Sequence, residues 1–224
     1  MNKTAVGIFG AGSFGKEVMA LLPESLPFLF PTLNPVDIFL CFIDDNIKSK
    51  EKNGVKILNP DEFLSLSGYD LRYNIAISDT QLRESVYNKM QNSGASPVTL
   101  IFNGAQILKN CKIGLGSVVM PGAIISTCVE IGIFSHINFQ SYIAHDCKLG
   151  DFVTLSPGVI CCGNTIIQDG AFIGAGSIIK QGNGDKPRYI GFRATLGMGS
   201  NLLVDLPDGM TFIGNPAKQK DSIE

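Results

Sequence analysis

The 224-residue sequence contains no tryptophan and only two histidines, His136 and His145. Two imidazoles fall short of the three-histidine zinc centre that carries carbonic-anhydrase chemistry, so that class is excluded. The six cysteines (Cys41, Cys111, Cys128, Cys147, Cys161 and Cys162) include no CxxC pair, and no metal site is expected from them. Most read as reduced thiols packed in the interior. An excess of one charge is lacking as well. The 18 Lys and Arg nearly cancel the 20 Asp and Glu, and no basic run occurs. Nucleic acid and anionic membrane surfaces are therefore excluded as partners. No apolar run approaches the roughly 20 residues of a membrane span. Met1-Asn2-Lys3-Thr4 leads into strand-like sequence without a signal-peptide profile. The expectation is a cytoplasmic protein without membrane insertion.

What is present points elsewhere. An apolar fraction of 45% supplies ample core, and the length admits one large domain or two small ones. Stepping by six from Ile107 gives Ile113, Val119, Ile125, Ile131, Ile137, Ile143, Leu149, Leu155, Cys161, Ile167, Ile173 and Ile179, all apolar. At the chain-wide frequency of 45%, thirteen in a row would arise by chance about 3 times in 100,000, so the period is real. Four residues after each aliphatic stands a small one, as at Ser117, Ala123, Ser135, Ser141, Cys147 and Ser177. A helix cannot hold a strict period of six, because about 3.6 residues per turn would sweep the stripe around the cylinder. Short strands joined by tight corners can hold it. Residues 107 to 207 are thus expected to wind into a left-handed parallel β-helix of hexapeptide repeats. Three hexads close one coil, and strands stack about 4.8 Å apart. Gly116, Gly122, Gly158, Gly170, Gly176 and Gly182 fall three after the aliphatic, where a corner calls for positive φ.

The register breaks after Ile179 and resumes at Ile190, Leu196 and Leu202, five residues late (190 − 185 = 5). A coil cannot absorb such an insertion, so residues 180–189 form an extruded loop. That loop is either a neutral surface excursion or one that sets Lys186 or Arg188 against a ligand phosphate.

The first 102 residues read as a small α/β unit, about one Rossmann-like mononucleotide-binding half, followed by residues 103–224 as the β-helix with a C-terminal tail. A strand over residues 4–10 runs into Gly10-Ala11-Gly12-Ser13-Phe14-Gly15, a GxGxxG, and then a helix over Lys16–Leu22. Glycines there admit phosphate, and the helix N-terminus offers it free N–H groups. A loop carrying Pro23, Pro27, Pro31 and Pro35 delays the second strand, Ile38 to Ile43, which ends in Asp44-Asp45. Acids at that position bond a ribose hydroxyl. Asn59-Pro60-Asp61-Glu62 starts a helix, and Asn74 to Ile77 is a strand. Ser78-Asp79-Thr80-Gln81 opens a helix as a capping box, and Val98 to Ile101 is the last strand. Nucleotide binding, a docking role and a redox cofactor all remain open from these residues alone.

A short α/β domain followed by hexapeptide repeats resembles the bacterial sugar acetyltransferases. These comprise the sialic acid O-acetyltransferases and the N-acetyltransferases of nucleotide-linked 4-amino-4,6-dideoxysugars. Beyond GAGSFG and FIDD, the resemblance rests on Ile143-Ala144-His145-Asp146-Cys147-Lys148-Leu149-Gly150 and on Gly214-Asn215-Pro216-Ala217-Lys218. It implies a homotrimer with acetyl-CoA as co-substrate, held between neighbouring β-helices. It implies a nucleotide-linked amino sugar on the N-terminal domain, in O-antigen or lipopolysaccharide biosynthesis. His145 would be the general base, its basicity raised by Asp146. Acetyl-CoA contacts would fall on Thr154, Gly163, Ala175 and Met198. Substrate contacts would fall on Gly12, Ser13, Phe14, Asp44, Asp45 and Asn138. Three positions depart from the pattern. Thr154 stands where some members carry a second histidine, Phe14 where some have His or Tyr, and Ser78 where a glycine is common.

The repeat itself places these residues. His145, two after inward Ile143, belongs to a corner and points outward, with small Thr127 and Gly163 stacked 18 residues either side. That leaves room for a thioester, with the Gly163 N–H as an oxyanion donor. Near neutral pH an imidazole accepts a proton from an attacking amine or hydroxyl. Without the resemblance, His145 reads as a plain surface residue. His136 reads as structural or interfacial, and Cys147 as packing rather than a nucleophile. Asn138 faces outward, either orienting the sugar or bonding a corner. The function read is direct N-acetylation of a nucleotide-linked amino sugar. Sialic acid O-acetylation is the alternative, and a non-catalytic nucleotide-binding trimeric scaffold the reading of another class.

Overall fold

The computed structural model describes residues 3–45 and 49–220. Two compact units divide the chain, Met1–Phe102 and Asn103–Glu224.

The first unit is an α/β sheet built around β1 (Lys3–Phe9). Its other elements are α1 (Ser13–Leu29), β2 (Ile38–Ile43), β3 (Glu51–Lys52), β4 (Val55–Leu58), α2 (Pro60–Leu64), β5 (Tyr69–Ile75), α3 (Thr80–Met90) and β6 (Ser96–Pro97). Strand order is β3-β4-β2-β1-β5-β6, parallel except for the β3–β4 pair. Ala5, Val6 and Ile8 are fully buried, as the centre of a parallel sheet covered on both faces requires. Gly15 lets α1 approach β1, since a Cβ there would collide with the Gly10 carbonyl oxygen. The helix after Asn59 carries the full capping box, with Asn59 Oδ1 accepting from Glu62 N–H and Glu62 from Asn59 N–H.

Several boundaries differ from the sequence reading. Helix α1 does not stop at Leu22 but runs through Pro23 and Pro27 to Leu29. Both prolines lie exposed, four residues apart on the solvent face, while Leu22, Ser25 and Leu26 are buried beside them. Water can then satisfy the carbonyls that lose a helical partner. The third helix is capped by Asp79, whose side chain accepts from Leu82 N–H, and not by Ser78. Strand β5 starts earlier than Asn74, because Tyr69 to Arg72 also pair with β1. Of the strand expected over Val98 to Ile101, Leu100–Ile101 is a strand, while the pairing with β5 comes earlier, through Ser96 and Pro97.

The second unit is a parallel β-helix with three faces. The first carries Val118–Val119, His136–Ile137, Thr154–Leu155, Phe172–Ile173 and Thr195–Leu196. Strands Gln106–Ile107, Ile124–Ile125, Tyr142–Ile143, Ile160–Cys161, Ile178–Ile179 and Asn201–Leu202 make the second. On the third stack Lys112–Ile113, Glu130–Ile131, Lys148–Leu149, Thr165–Ile167 and Arg188–Ile190. Register steps by 18, as between Tyr142 and Ile160. From Val119 onward the periodic aliphatics are buried, whereas Ile107 in the first coil is 36% exposed.

The small residues earn their place by hydrogen bonding. Ser117, Ser135 and Ser141 Oγ donate to the carbonyls of Gly132, Gly150 and Ser156, one coil on. From Ile107 to Leu196 all corners but one have a residue with left-handed φ, three after the aliphatic. Glycine supplies it at five of the six expected places, but Asn110, Cys128, Phe134, Gln140, Asp146, Phe152, Asn164 and Arg193 hold it too. Gly182 is the exception, because it opens the extruded loop and bonds Gly163 O through its N–H. That loop ends two residues earlier than expected, because Arg188 and Tyr189 already pair with Thr165 and Ile166; Thr165 and Arg188 are 23 residues apart, five more than one coil (23 − 18 = 5).

Only Cys41, Cys147 and Cys161 are buried, so the expectation that most thiols are interior is corrected. Cys128 takes a left-handed corner, Cys162 follows an inward residue, and Cys111 lies in the uncovered first coil. All six are free thiols. Burial pushes the Cys41 thiol up to about 12.

Candidate active site

The corner between the second and third faces stacks Lys109, Thr127, His145 and Gly163, followed in each coil by Asn110, Cys128, Asp146 and Asn164. The backbone closes this column through Asp146 N–H to Thr127 O (3.2 Å) and Asn164 N–H to His145 O (3.0 Å). Asp146 has φ 60°. Its carboxylate turns back on the preceding side chain, and Oδ2 lies 2.8 Å from His145 Nδ1. Both side chains stay open to solvent, 62% and 61% exposed.

A carboxylate only accepts hydrogen bonds, so in the neutral imidazole this contact favours the tautomer with the proton on Nδ1 and the lone pair on Nε2. The imidazole lies over Gly163. A Cβ on Gly163 would stand 2.7 Å from His145 Cε1 and 2.8 Å from Nε2. The glycine is therefore required by the ring. Its N–H has no hydrogen-bond partner among the described residues. The equivalent N–H groups one corner on are taken, Ile133 by Asp151 Oδ1 and Asp151 by Asp169 Oδ1.

A cleft of about 700 Å³ opens here, lined among others by Tyr142, His145, Asp146, Cys162, Gly163 and Gln181. Gln181, Gly182 and Gly184 make the extruded loop one wall of it. Asn164 Nδ2 donates to Gly184 O (2.8 Å), which ties the loop to the corner. The Arg188 guanidinium is engaged by Asp205, 2.7 Å away. Burial works against the Asp205 carboxylate, but the Tyr189 N–H and Arg188 outweigh it and keep its pKa below the ordinary value. Cys147 is fully buried, 3.9 Å from Cys161 Sγ, and donates to Cys162 O. His136 is buried as well.

The other expected contacts are dispersed. Gly163 lines the His145 cleft. Ala175 and Met198 share the corner between the first and second faces, joined by Gly199 N–H to Ala175 O, and Met198 is 81% exposed. Thr154 sits on the first face and is buried. Asn138, expected outward, is buried; its N–H goes to Leu155 O, so the chain closes around it as a corner residue.

In the N-terminal unit, Gly12 and Ser13 are exposed and Phe14 half-buried at the start of α1. No side chain caps this helix, and its first turn holds no acid. Asp44 Oδ2 accepts from Ala11 N–H at 2.9 Å, so one of its oxygens shapes the glycine turn. Asp45 lines a separate hollow of about 320 Å³ with Phe9, Asn59, Pro60, Lys89 and Met90. One functional candidate was missed in the sequence. Lys52 Nζ donates to Ala11 O at 2.5 Å, and the Asn53-Gly54 hairpin that sets it there was its signal.

Known proteins resemble this chain over most of its length. Residues 5–90 match the PglD N-terminal domain family. The chain is 37% identical over 213 residues to a GDP-perosamine N-acetyltransferase of Escherichia coli O157:H7, covering 95% of each. WeeI from Acinetobacter baumannii AYE superposes with a TM-score of 0.90 at 37% identity, over 97% of this chain and 100% of that one. PerB from Caulobacter crescentus, solved with CoA and GDP-perosamine, gives 0.82 at 28% identity, over 97% of each chain. Among the described residues no helix is long and apolar enough to cross a membrane. The chain belongs to the bacterial hexapeptide-repeat sugar acetyltransferases, enzymes that draw their acyl group from acetyl-CoA.

Proposed function

We propose that this protein N-acetylates a nucleotide-linked 4-amino-4,6-dideoxysugar in surface-glycan biosynthesis. The observation that carries the reading is the His145–Asp146 pair, 2.8 Å apart, in an open cleft floored by Gly163. The perosamine N-acetyltransferases among its relatives support the choice of an amine on a nucleotide sugar.

The sugar amine attacks the thioester carbonyl carbon directly. His145 Nε2 takes the amine proton, and Asp146 stabilises the imidazolium that forms. The free Gly163 N–H donates to the oxygen where charge develops. The C–S bond then breaks, the amide forms and CoA thiolate leaves, reprotonated to the thiol. No acyl-enzyme intervenes. The N-terminal unit acts as a Rossmann-like half domain that holds the nucleotide at Gly12, Ser13 and Phe14. Asp44 and Asp45 serve the ribose and base side.

The active assembly is a homotrimer of left-handed helices. The second face supports this, since outward Ile124, Tyr142, Ile160 and Ile178 form an apolar stripe in which the last three are 37–39% exposed. Three copies turned so that these faces meet would set the Ala175–Met198 corner of one beside the His145–Gly163 corner of the next. The dispersed acetyl-CoA contacts then converge. The test is thiol release from acetyl-CoA over UDP-, dTDP- and GDP-linked 4-amino sugars. Transfer to at least one, lost in His145→Ala, is expected. Full transfer by that variant would sink the base assignment, and transfer to free sialic acid alone would favour O-acetylation.

A further inference from the structure

We propose that Lys52 is a ligand of the nucleotide's diphosphate, a step that rests on the nucleotide-binding reading of the N-terminal unit. The residue is not positioned by chance. Lys52 and Val55 pair across Asn53 and Gly54, whose φ values of 50° and 77° make the two-residue turn that suits right-twisted strands. The hairpin is anchored by Ile57 N–H to Lys50 O and by pairing of β4 with β2. From there the ammonium reaches Ala11 O.

Ala11 is thus held on both sides, its N–H by Asp44 and its carbonyl by Lys52. The electrostatics of that clamp matter more than its shape. Asp44 puts a negative charge at the turn where a diphosphate would lie, and α1 brings only the partial charge of its N-terminus to offset it. An ammonium at Ala11 O restores attraction for a polyanion. It has three protons, of which one is used. Among the described residues Lys52 forms no ion pair with an acid. Two donors and a full charge therefore remain at the edge of the glycine turn.

The test compares wild type, Lys52→Met and Lys52→Arg by calorimetric titration with GDP, UDP and dTDP at several salt concentrations. For the diphosphate that wild type binds, Lys52→Met is expected to raise Kd about tenfold or more. Its log Kd should also depend less steeply on log salt, because one fewer cation meets the phosphates. Lys52→Arg should recover most of the affinity, and the thermal midpoint of the free protein should stay put in all three. An unchanged Kd in Lys52→Met overturns the inference. So does a weakened Kd with the wild-type salt slope and a lowered midpoint, which would make Lys52 a clamp of the turn only. Wild type that binds none of the three diphosphates overturns the nucleotide reading itself, and this inference with it.

Discussion

Gly163 has no side chain because the His145 ring occupies that space. Gly163→Ala must push the imidazole off the corner, since a Cβ would sit 2.7–2.8 Å from two ring atoms. Gly163 is not among the residues with positive φ, so alanine fits its backbone. We expect acetyl transfer to fall about 10- to 100-fold through misplacement of the base, with a thermal midpoint near wild type. Equal loss of both would refute the positional account. Asp146→Asn makes a complementary test. Asparagine tolerates the left-handed corner nearly as well as any residue but glycine, so the backbone survives while the carboxylate does not. Rates should drop, yet less than the about 10²- to 10⁴-fold expected for His145→Ala. Combined with His145→Ala, Asp146→Asn should add nothing further, because it acts through the ring. The period of six put His145 and Asp146 outside the core, but only the resemblance gave them a role. Lys52 was not singled out: the Asn53-Gly54 turn marks its hairpin, but no local pattern marks its hydrogen bond to Ala11, 41 residues away.

The repeating corner explains why the second unit reads so directly from its sequence. Most hexads supply an inward aliphatic, a left-handed residue and a small residue, and where that small residue is serine its hydroxyl is consumed in the stack. Ser135 shows the cost of breaking it. Fully buried, its Oγ donates to Gly150 O and accepts from Val153 N–H. Ser135→Ala orphans both groups and should destabilise by about 1–3 kcal/mol, read from denaturant or thermal unfolding of the protein. The N-terminal unit was less transparent. Proline marks a stop only when its missing N–H matters, and in α1 both prolines face solvent. Pro27→Ala should therefore stabilise this unit, by up to about 3 kcal/mol if nothing else moves, seen as a raised midpoint. A lowered midpoint would mean that the proline stiffens the unfolded chain more than it strains the helix. Where neighbouring strands are set by tertiary pairing, as at Tyr69 and Ser96, local sequence carried too little pattern to place their ends.

Taken as one molecule, the second unit sets the proposed base, His145, and the proposed acetyl-CoA contacts Ala175 and Met198 on two separate corners flanking an apolar face. A single chain would leave that stripe in water, and the acetyl-CoA contacts of the resemblance would never meet. Self-association would answer both, since a closed three-fold ring repeats one head-to-tail contact three times and so sets the Met198 corner of each copy beside the His145 corner of the next. Ile160→Glu puts a charge in the middle of the stripe and is expected to yield monomers in sedimentation and to abolish transfer, while the buried core of each coil is untouched. Complementation then asks where the site lies. His145→Ala spoils one corner, and Met198→Glu spoils the other. Each trimer alone should be nearly inactive. In an equal mixture allowed to exchange subunits, a shared site is intact when an intact His145 meets a neighbour's intact Met198, which random assembly gives one time in four (½ × ½). Activity should rise to about a quarter of wild type after exchange and stay at background before it. If both corners of one chain served the same site, no mixture would recover activity, and the trimeric site would be wrong even if the trimer itself were right.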